Sequence, residues 1–242
     1  MGKAYKGFIF SSQDVLFGRP EVVGYGIYGA WEVKEIPRVL ANEIIIANHY
    51  SKKVYAGSTI HLGVFIKGDL MGVLQYGYAM NPASQGSVVR GTEIDEYLEL
   101  NRMWISDEVG KNAESQAISY SIKFIKQKYP KIKWIQSFAD ERCGKFGIVY
   151  QACNFDYYGE HESIFWEYKN EWYHNSLMTR APHLSKMAEF IQKHRDEATS
   201  HKLRQFRYIF FLDKRCRKKC LLKPQPYPKH YKESVKAQAL LT

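Results

Sequence analysis

The chain has 242 residues, enough for one sizeable domain with an elaborated end, and 45% hydrophobic content with 18 tyrosines describes a folded protein. No apolar run approaches the ~20 residues a bilayer span needs, the start at Met1-Gly2-Lys3 lacks a secretion signal, and four cysteines point to reduced thiols, so a soluble cytoplasmic protein with no membrane partner is expected. The formal charge of +10 is uneven: of 35 basic and 25 acidic residues, 15 and 5 fall in residues 181–242, which leaves the rest balanced and gives a basic end suited to a polyanion.

Phe8-Ile9-Phe10 and residues 22–31 read as short strands or loops broken by Gly24, Gly26 and Gly29. Residues 35–51 read as a helix, with Pro37 near its start, Val39, Leu40, Ile44 and Ala47 facing inward, and an end near His49-Tyr50. Residues 58–66 alternate Ile60, Leu62, Val64 and Ile66 against Thr59, His61, Gly63 and Phe65, and Lys67-Gly68-Asp69 turns them into a partner strand over 70–78. The segments 81–87 and 90–92 form a loop long enough for a lid or a substrate loop. A strand over 96–105 follows, then a helix that Pro130 stops, with Ile118, Ile122, Ile125 and Tyr129 on one stripe. A strand over 131–138 leads into a polar turn at 140–144 and a short helix closing at Asn154-Phe155. Its stripe of Phe146, Val149, Tyr150 and Cys153 turns Tyr150 toward the preceding strand. Last come a hairpin over 162–168 and 171–177 across Lys169-Asn170, a helix over 182–194, a strand over 205–212 and an extended, proline-broken segment over 223–229.

A strand-end Asp140 and an inward Tyr150 make a candidate site, although each alone is more often a helix cap and a core tyrosine. Cys216 and Cys220 lack a second ligand pair at zinc spacing. In the basic end, Lys202, Arg204, Arg207, Lys214, Arg215, Arg217, Lys218 and Lys219 interleave with Phe206, Tyr208, Phe210 and Phe211. That mixture suits phosphate plus base or sugar contact.

The element order is α/β with a mixed sheet. With Tyr150-Gln151-Ala152-Cys153-Asn154-Phe155 it resembles the acyltransferase superfamily of Gcn5-related N-acetyltransferases, in which a helix N-terminus receives the donor's pyrophosphate and the tyrosine protonates the departing thiolate. The resemblance implies a GNAT-like mixed, mostly antiparallel sheet flanked by helices. Residues 1–180 would be the catalytic domain and 181–242 a basic C-terminal extension completing the sheet and contacting nucleic acid. More narrowly, Asn48-His49-Tyr50-Ser51, Glu99-Leu100-Asn101-Arg102-Met103-Trp104-Ile105-Ser106-Asp107-Glu108 and Ser137-Phe138-Ala139-Asp140 through Phe155 look like the Mom family of phage DNA-modification proteins, over about residues 35–177.

That resemblance implies a transferase converting adenine in double-stranded DNA to N6-carbamoylmethyladenine in the host cytoplasm, protecting phage DNA from restriction. It implies an active centre of His49, Tyr50, Asp140 and Tyr150, the same four holding an iron ion, with Arg102, Ser115 and Gly110 as donor or substrate contacts. The same four groups could do acid and base work without a metal. The target base must be extruded, and Tyr76, Tyr78, Tyr157, Tyr158, Trp172 and Tyr173 are among the aromatics available to stack it.

The loop Val109-Gly110-Lys111-Asn112-Ala113-Glu114 has one glycine where a pyrophosphate cradle normally has several. The donor is therefore either acetyl-CoA held by a different grip or another activated acyl group such as glycyl-tRNA, whose glycyl group has the same atoms as a carbamoylmethyl group, differently connected. The alternatives are an N-acetyltransferase of a protein or small amine and a non-catalytic nucleic-acid-binding protein. Oligomeric state is left open, a dimer included. The transferase expectation needs His49 to meet Tyr150 in one pocket; the two far apart on opposite sides of the sheet would, on the residues alone, leave only a basic α/β protein.

Overall fold

The computed structural model describes residues 22–26, 29–144 and 146–228; the expected segment at 8–10, part of that at 22–31, and the tail beyond 228 lie outside the described residues. The alternating run becomes β3 (Ser58–Ile66) and pairs antiparallel with β4 (Asp69–Gly77) across a tight turn in which Lys67 and Gly68 both have positive φ. Primed two-residue turns of this kind match the right-handed twist of the strands they join. On one face Leu62, Val64, Leu74 and Tyr76 join the main core; on the other Phe65, Leu70 and Val73 form a second cluster.

The helix α1 (Arg38–Asn48) covers this second face. Its buried stripe is Leu40, Ala41, Ile44 and Ile45, one step rotated from the expected one: Val39 is 69% exposed and Ala47 is also at the surface. A run of apolar residues from Ile44 to Ala47 leaves the helical phase open, and the crossing angle against β3 and β4 fixes it. Each fully buried Ile here contributes about 1.5–3 kcal/mol. The helix α2 (Ala113–Lys128) covers the main-core face, with Ile118, Ile122 and Ile125 buried as expected.

The remaining strands are β1 (Val22–Gly26), β2 (Gly29–Glu35), β5 (Tyr97–Ile105), β6 (Trp134–Asp140), β7 (Asp156–Tyr168), β8 (Glu171–His174) and β9 (Thr199–Phe211), and the single sheet runs β1-β2-β3-β4-β5-β6-β9-β7-β8. Every neighbouring pair is antiparallel except β5 and β6. The expected GNAT-like architecture, a mixed and mostly antiparallel sheet with helices on both faces, is therefore the one adopted. Residues 199–211 take an interior place in it, between β6 and β7, and the strand begins before the expected start at 205.

Short helices complete the chain: α3 (Ile148–Ala152), α4 (Ser176–Thr179), α5 (Lys186–Lys193) and α6 (Lys214–Arg217). The expected hairpin forms across Lys169 and Asn170, both at positive φ. The loop after β4 is anchored at its far end. Val88 and Val89 are buried, Val89 bridges Cys220, and Leu221 N–H donates to Val88 O.

Two features of β5 shape the site. It pairs with β6 only from Tyr97 to Glu99, opposite Trp134 to Gln136, and beyond that the two parallel strands part. Against β4 it carries a bulge at Asn101, because Gln75 pairs with Arg102 while Tyr76 pairs with Leu100. The extra residue flips the side-chain alternation, so Glu99 and Arg102 share the α1 face while Leu98, Leu100 and Ile105 line the main core.

Candidate active site

The parting strands open a gap with a different wall on each face. On the main-core face, α3 is capped by Gly147 at φ 77°, and Tyr150 packs against Phe155 and Tyr208 with ring centroids 5.6 and 5.3 Å away. An added Cβ at Gly147 would lie 2.4 Å from the Tyr208 ring, so this turn requires glycine twice over. The Tyr150 hydroxyl hydrogen-bonds Ser137, whose own hydroxyl donates to Leu100 O at 3.2 Å, just past the last β5–β6 pair. Burial pushes the phenol up to about 12, so it is protonated at neutral pH.

On the α1 face lies an open cleft of about 800 Å³. Its walls are the 50–57 segment after α1, the β7–β8 hairpin and residues around α4, with Arg102 and Arg142 at its floor. His49 ends α1 buried. Ser51 N–H donates to its Nδ1 at 3.1 Å and Ser51 Oγ lies 2.8 Å away, which leaves the ring proton on Nε2. Burial, then the charges of Arg102 and Arg142, push its pKa down to about 3, so the imidazole is neutral. Tyr50 is 59% exposed in the cleft, within electrostatic reach of Cys143, Asp140, Arg142 and Arg102.

Asp140 caps the turn Glu141–Cys143: its Oδ1 accepts from the backbone N–H and Nε of Arg142, each at 3.0 Å, and its Oδ2 accepts from Nε at 2.9 Å and from Nη2. The carboxylate is thus spent on Arg142. That guanidinium sits 4.3 Å from the Phe165 ring centroid, 5.2 Å from Trp172 and 5.9 Å from Tyr50.

The four expected centre residues therefore do not share one pocket. His49, Tyr50 and Asp140 gather on the α1 face, and Tyr150 stands on the other, reaching the gap through its hydroxyl. The sequence could not fix this, because the side of the sheet each helix covers is set by chain crossovers. The donor set also does not fit iron. Both Asp140 oxygens are engaged by Arg142, the His49 Nδ1 by Ser51 and the Tyr150 hydroxyl by Ser137, and two guanidinium ions already sit beside His49 and Tyr50. Among the described residues no three His, Cys, Asp or Glu side chains gather at metal-holding distance.

The expected donor contacts separate as well. Arg102 faces the cleft, with Nε donating to Lys53 O at 2.9 Å and Nη1 to Asn101 O at 2.7 Å, while Gly110 and Ser115 lie on the α2 side. There Gly110 (φ 93°) and Asn112 (φ 64°) both take positive φ, so Asn112 does the backbone work of a second glycine, and the first turn of α2 has no side-chain cap. Ser115 turns its hydroxyl back to Asn112 O at 2.9 Å, and Glu114 occupies the first turn. The uncapped amides suit an anionic group, while the acid beside them opposes it.

The residue overlooked in the sequence is Glu99. It is half-buried at the gap, accepting from Asn101 Nδ2 at 3.2 Å and Gln136 Nε2 at 2.9 Å, and burial raises it to about 7 against those bonds and the charges of Arg207 and Arg102. Tyr150 lies within its electrostatic reach. A lone acid inside an apolar strand, followed by Asn101 and Arg102 out of step with the alternation, was the available signal.

No basic residue of the segment 202–223 lines the cleft. Arg204 pairs with Glu141 and Glu160, Arg215 with Asp213 and Arg217 with Asp156. Phe206 and Tyr208 are core residues, closed to base contact. The cleft's cations are Lys52, Lys53, Arg102, Arg142 and Arg180 instead. Of the six aromatics named for stacking, Trp172 alone lines the cleft.

A model of the Mom protein family matches residues 30–229. The chain is 46% identical over 232 residues to the methylcarbamoylase mom of Escherichia phage Mu, covering 95% of this chain and 96% of that protein. Among solved structures, the ribosomal-protein-S5-alanine acetyltransferase of Vibrio fischeri aligns at 12% identity and TM-score 0.46, over 80% of this chain and 98% of that one. An N-acetyltransferase of Staphylococcus aureus aligns at 14% and 0.43, over 76% and 99%. Likenesses that faint leave the fold to rest on the strand order itself.

Proposed function

The chain belongs to the Mom protein family, and from that premise we propose that it is a transferase converting adenine in double-stranded DNA to N6-carbamoylmethyladenine, a change that protects phage DNA from restriction in the host cytoplasm. The near end-to-end match to a protein named methylcarbamoylase supports the reaction class. The observation in this chain that carries the reading is the pair Glu99 and Tyr150 at the gap, one carboxyl raised to about 7 and one phenol raised to about 12. A carboxyl that titrates near neutrality and a phenol that stays protonated there can serve as base and acid in one step.

In this reading the adenine is extruded from the duplex into the cationic cleft, its phosphates met by Lys52 and Arg180. Glu99 accepts the proton released from the exocyclic amine, and Arg102 beside it holds the carboxylate form. Tyr150 gives its proton to the leaving group from the opposite face, with Ser137 fixing the hydroxyl. With an aminoacyl ester such as glycyl-tRNA as donor, N6 attack releases the tRNA hydroxyl and leaves an N6-glycyl group. Its free amine then attacks C6 and the original nitrogen departs as the carboxamide, which gives carbamoylmethyl with all atoms conserved, whereas acetyl-CoA carries no such nitrogen and would leave N6-acetyladenine. Gly110, Asn112 and the first turn of α2 would hold its anionic part. His49, neutral and tied to Ser51, orients Tyr50 against which it packs at 4.3 Å between ring centroids.

The test is mass spectrometry of nucleosides from cells expressing the protein. A modified deoxyadenosine, lost in Glu99→Gln and Tyr150→Phe cultures, is the expected result. Unmodified nucleosides with newly acetylated protein would replace this reading with an N-acetyltransferase, and neither product with salt-sensitive DNA retention would leave a binding protein.

A further inference from the structure

We infer that Tyr50, Phe165 and Trp172, gathered around the Arg142 guanidinium, form the subsite that grips the extruded nucleobase, and that Asp140 acts there as a positioning residue. The inference rests on DNA being the substrate and goes further, to the groups that hold the base. All four side chains line the cleft, and the three rings surround one guanidinium at 4.3–5.9 Å. The rings have aromatic neighbours of their own: Phe165 and His174 meet edge to face at 5.2 Å, and Trp172 meets His201 at 4.8 Å.

What such a subsite takes follows from its charge. Asp140 accepts from one edge of Arg142 through both carboxylate oxygens, so the ion pair is neutral as a unit and offers flat faces more than net charge. A phosphate would find that charge already cancelled and the rings idle. A purine is neutral and planar, with π-faces that stack on aromatic rings and on guanidinium planes. The cleft's uncancelled cations, Lys52 and Arg180 among them, have no ion-pair partner among the described residues and are left for the backbone. Asp140 thereby acquires a purpose that needs neither a metal nor proton transfer: without it, Arg142 loses the contacts that hold its plane among the rings.

The experiment compares the full-length protein's affinity, by fluorescence anisotropy, for a single-stranded pyrimidine oligonucleotide carrying one adenine and for the same strand with an abasic residue there. Single strands remove the cost of unpairing. The wild type should prefer adenine by about 5- to 150-fold, the range that base–aromatic stacking corresponds to. Trp172→Leu should bring the ratio close to one, Trp172→Phe should keep most of it, and Asp140→Asn should lower it while the abasic strand binds as before. Lys52→Ala should weaken both strands alike and leave the ratio intact. If Trp172→Leu fails to fold by circular dichroism, Tyr50→Leu reads the same ratio at a more exposed position.

A ratio unchanged in these variants, or a wild type that binds both strands equally, overturns the subsite and leaves the proposed function standing. A wild type that binds neither strand at low salt overturns both.

Discussion

The two faces of the sheet meet at the β5–β6 gap and are built on opposite terms. On the α2 side the wall is closed: Tyr150, Phe155, Tyr157 and Tyr208 pack ring to ring, and each polar tip that matters is tied, Tyr150 to Ser137 and Tyr208 to Phe146 O. On the α1 side the wall is open and cationic, assembled from a loop, a hairpin and short helices. The difference teaches a division of work. A proton donor needs a fixed direction and a dry setting, which a packed core provides; a polyanion needs a broad, wet, positively charged entrance, which loops provide. Glu99 stands where the two meet.

The sharpest way to break this comparison is at that meeting point. Glu99→Gln should lower the rate of adenine modification by about 10²–10⁴-fold, while affinity for DNA stays near wild type. Because the base must be deprotonated to act, wild-type activity should rise as pH climbs through about 7, and the variant should lose that rise. A flat wild-type profile would take Glu99 out of the chemistry.

Next in size is a change confined to the closed wall. Gly147→Ala must strain a left-handed φ, about 1–2 kcal/mol, and push against the Tyr208 and Tyr150 rings. A lowered melting temperature and lost modification, with oligonucleotide affinity retained, would show the walls to be separable. Loss of both together would show that they are not.

Asp140→Ala touches the open wall alone. It removes the cap of a short turn, about 1 kcal/mol, and the carboxylate that pairs Arg142, so denaturant melts should shift by more than the cap alone while modification is lost through the freed Arg142.

The last expected effect, read on stability alone, is acid sensitivity from His49. Its folded pKa lies below its unfolded value of about 6.5, so the stability it contributes is complete above that pH and is lost as pH falls toward about 3. His49→Asn should flatten the melting temperature across that window.

Much of this was legible in the residues themselves. The alternation of 58–66, the primed turns at Lys67-Gly68 and Lys169-Asn170, the α2 stripe and the stop at Pro130 are local properties, fixed by turn chemistry and by periods of 2 and 3.6. So was the motif at 137–155 that joins an acid to a tyrosine along one strand, turn and helix. The α1 stripe was legible only to within one step of rotation, because four consecutive apolar residues carry no phase.

What the tertiary structure alone decided is which side each of these parts faces. The Asn101 bulge puts Arg102 on the side of Glu99, a consequence of β4 pairing across it; a count of two along β5 predicts the reverse. The partner of Asp140 is two residues away, yet nothing in the sequence says that the carboxylate turns toward Arg142 and away from a metal. The rings around that guanidinium come from positions 50, 165 and 172, brought together by a helix end and a distant hairpin. Local sequence sets conformations through short-range sterics and hydrogen bonds, whereas convergence of distant side chains depends on strand order and helix crossings, which only the packed chain as a whole determines.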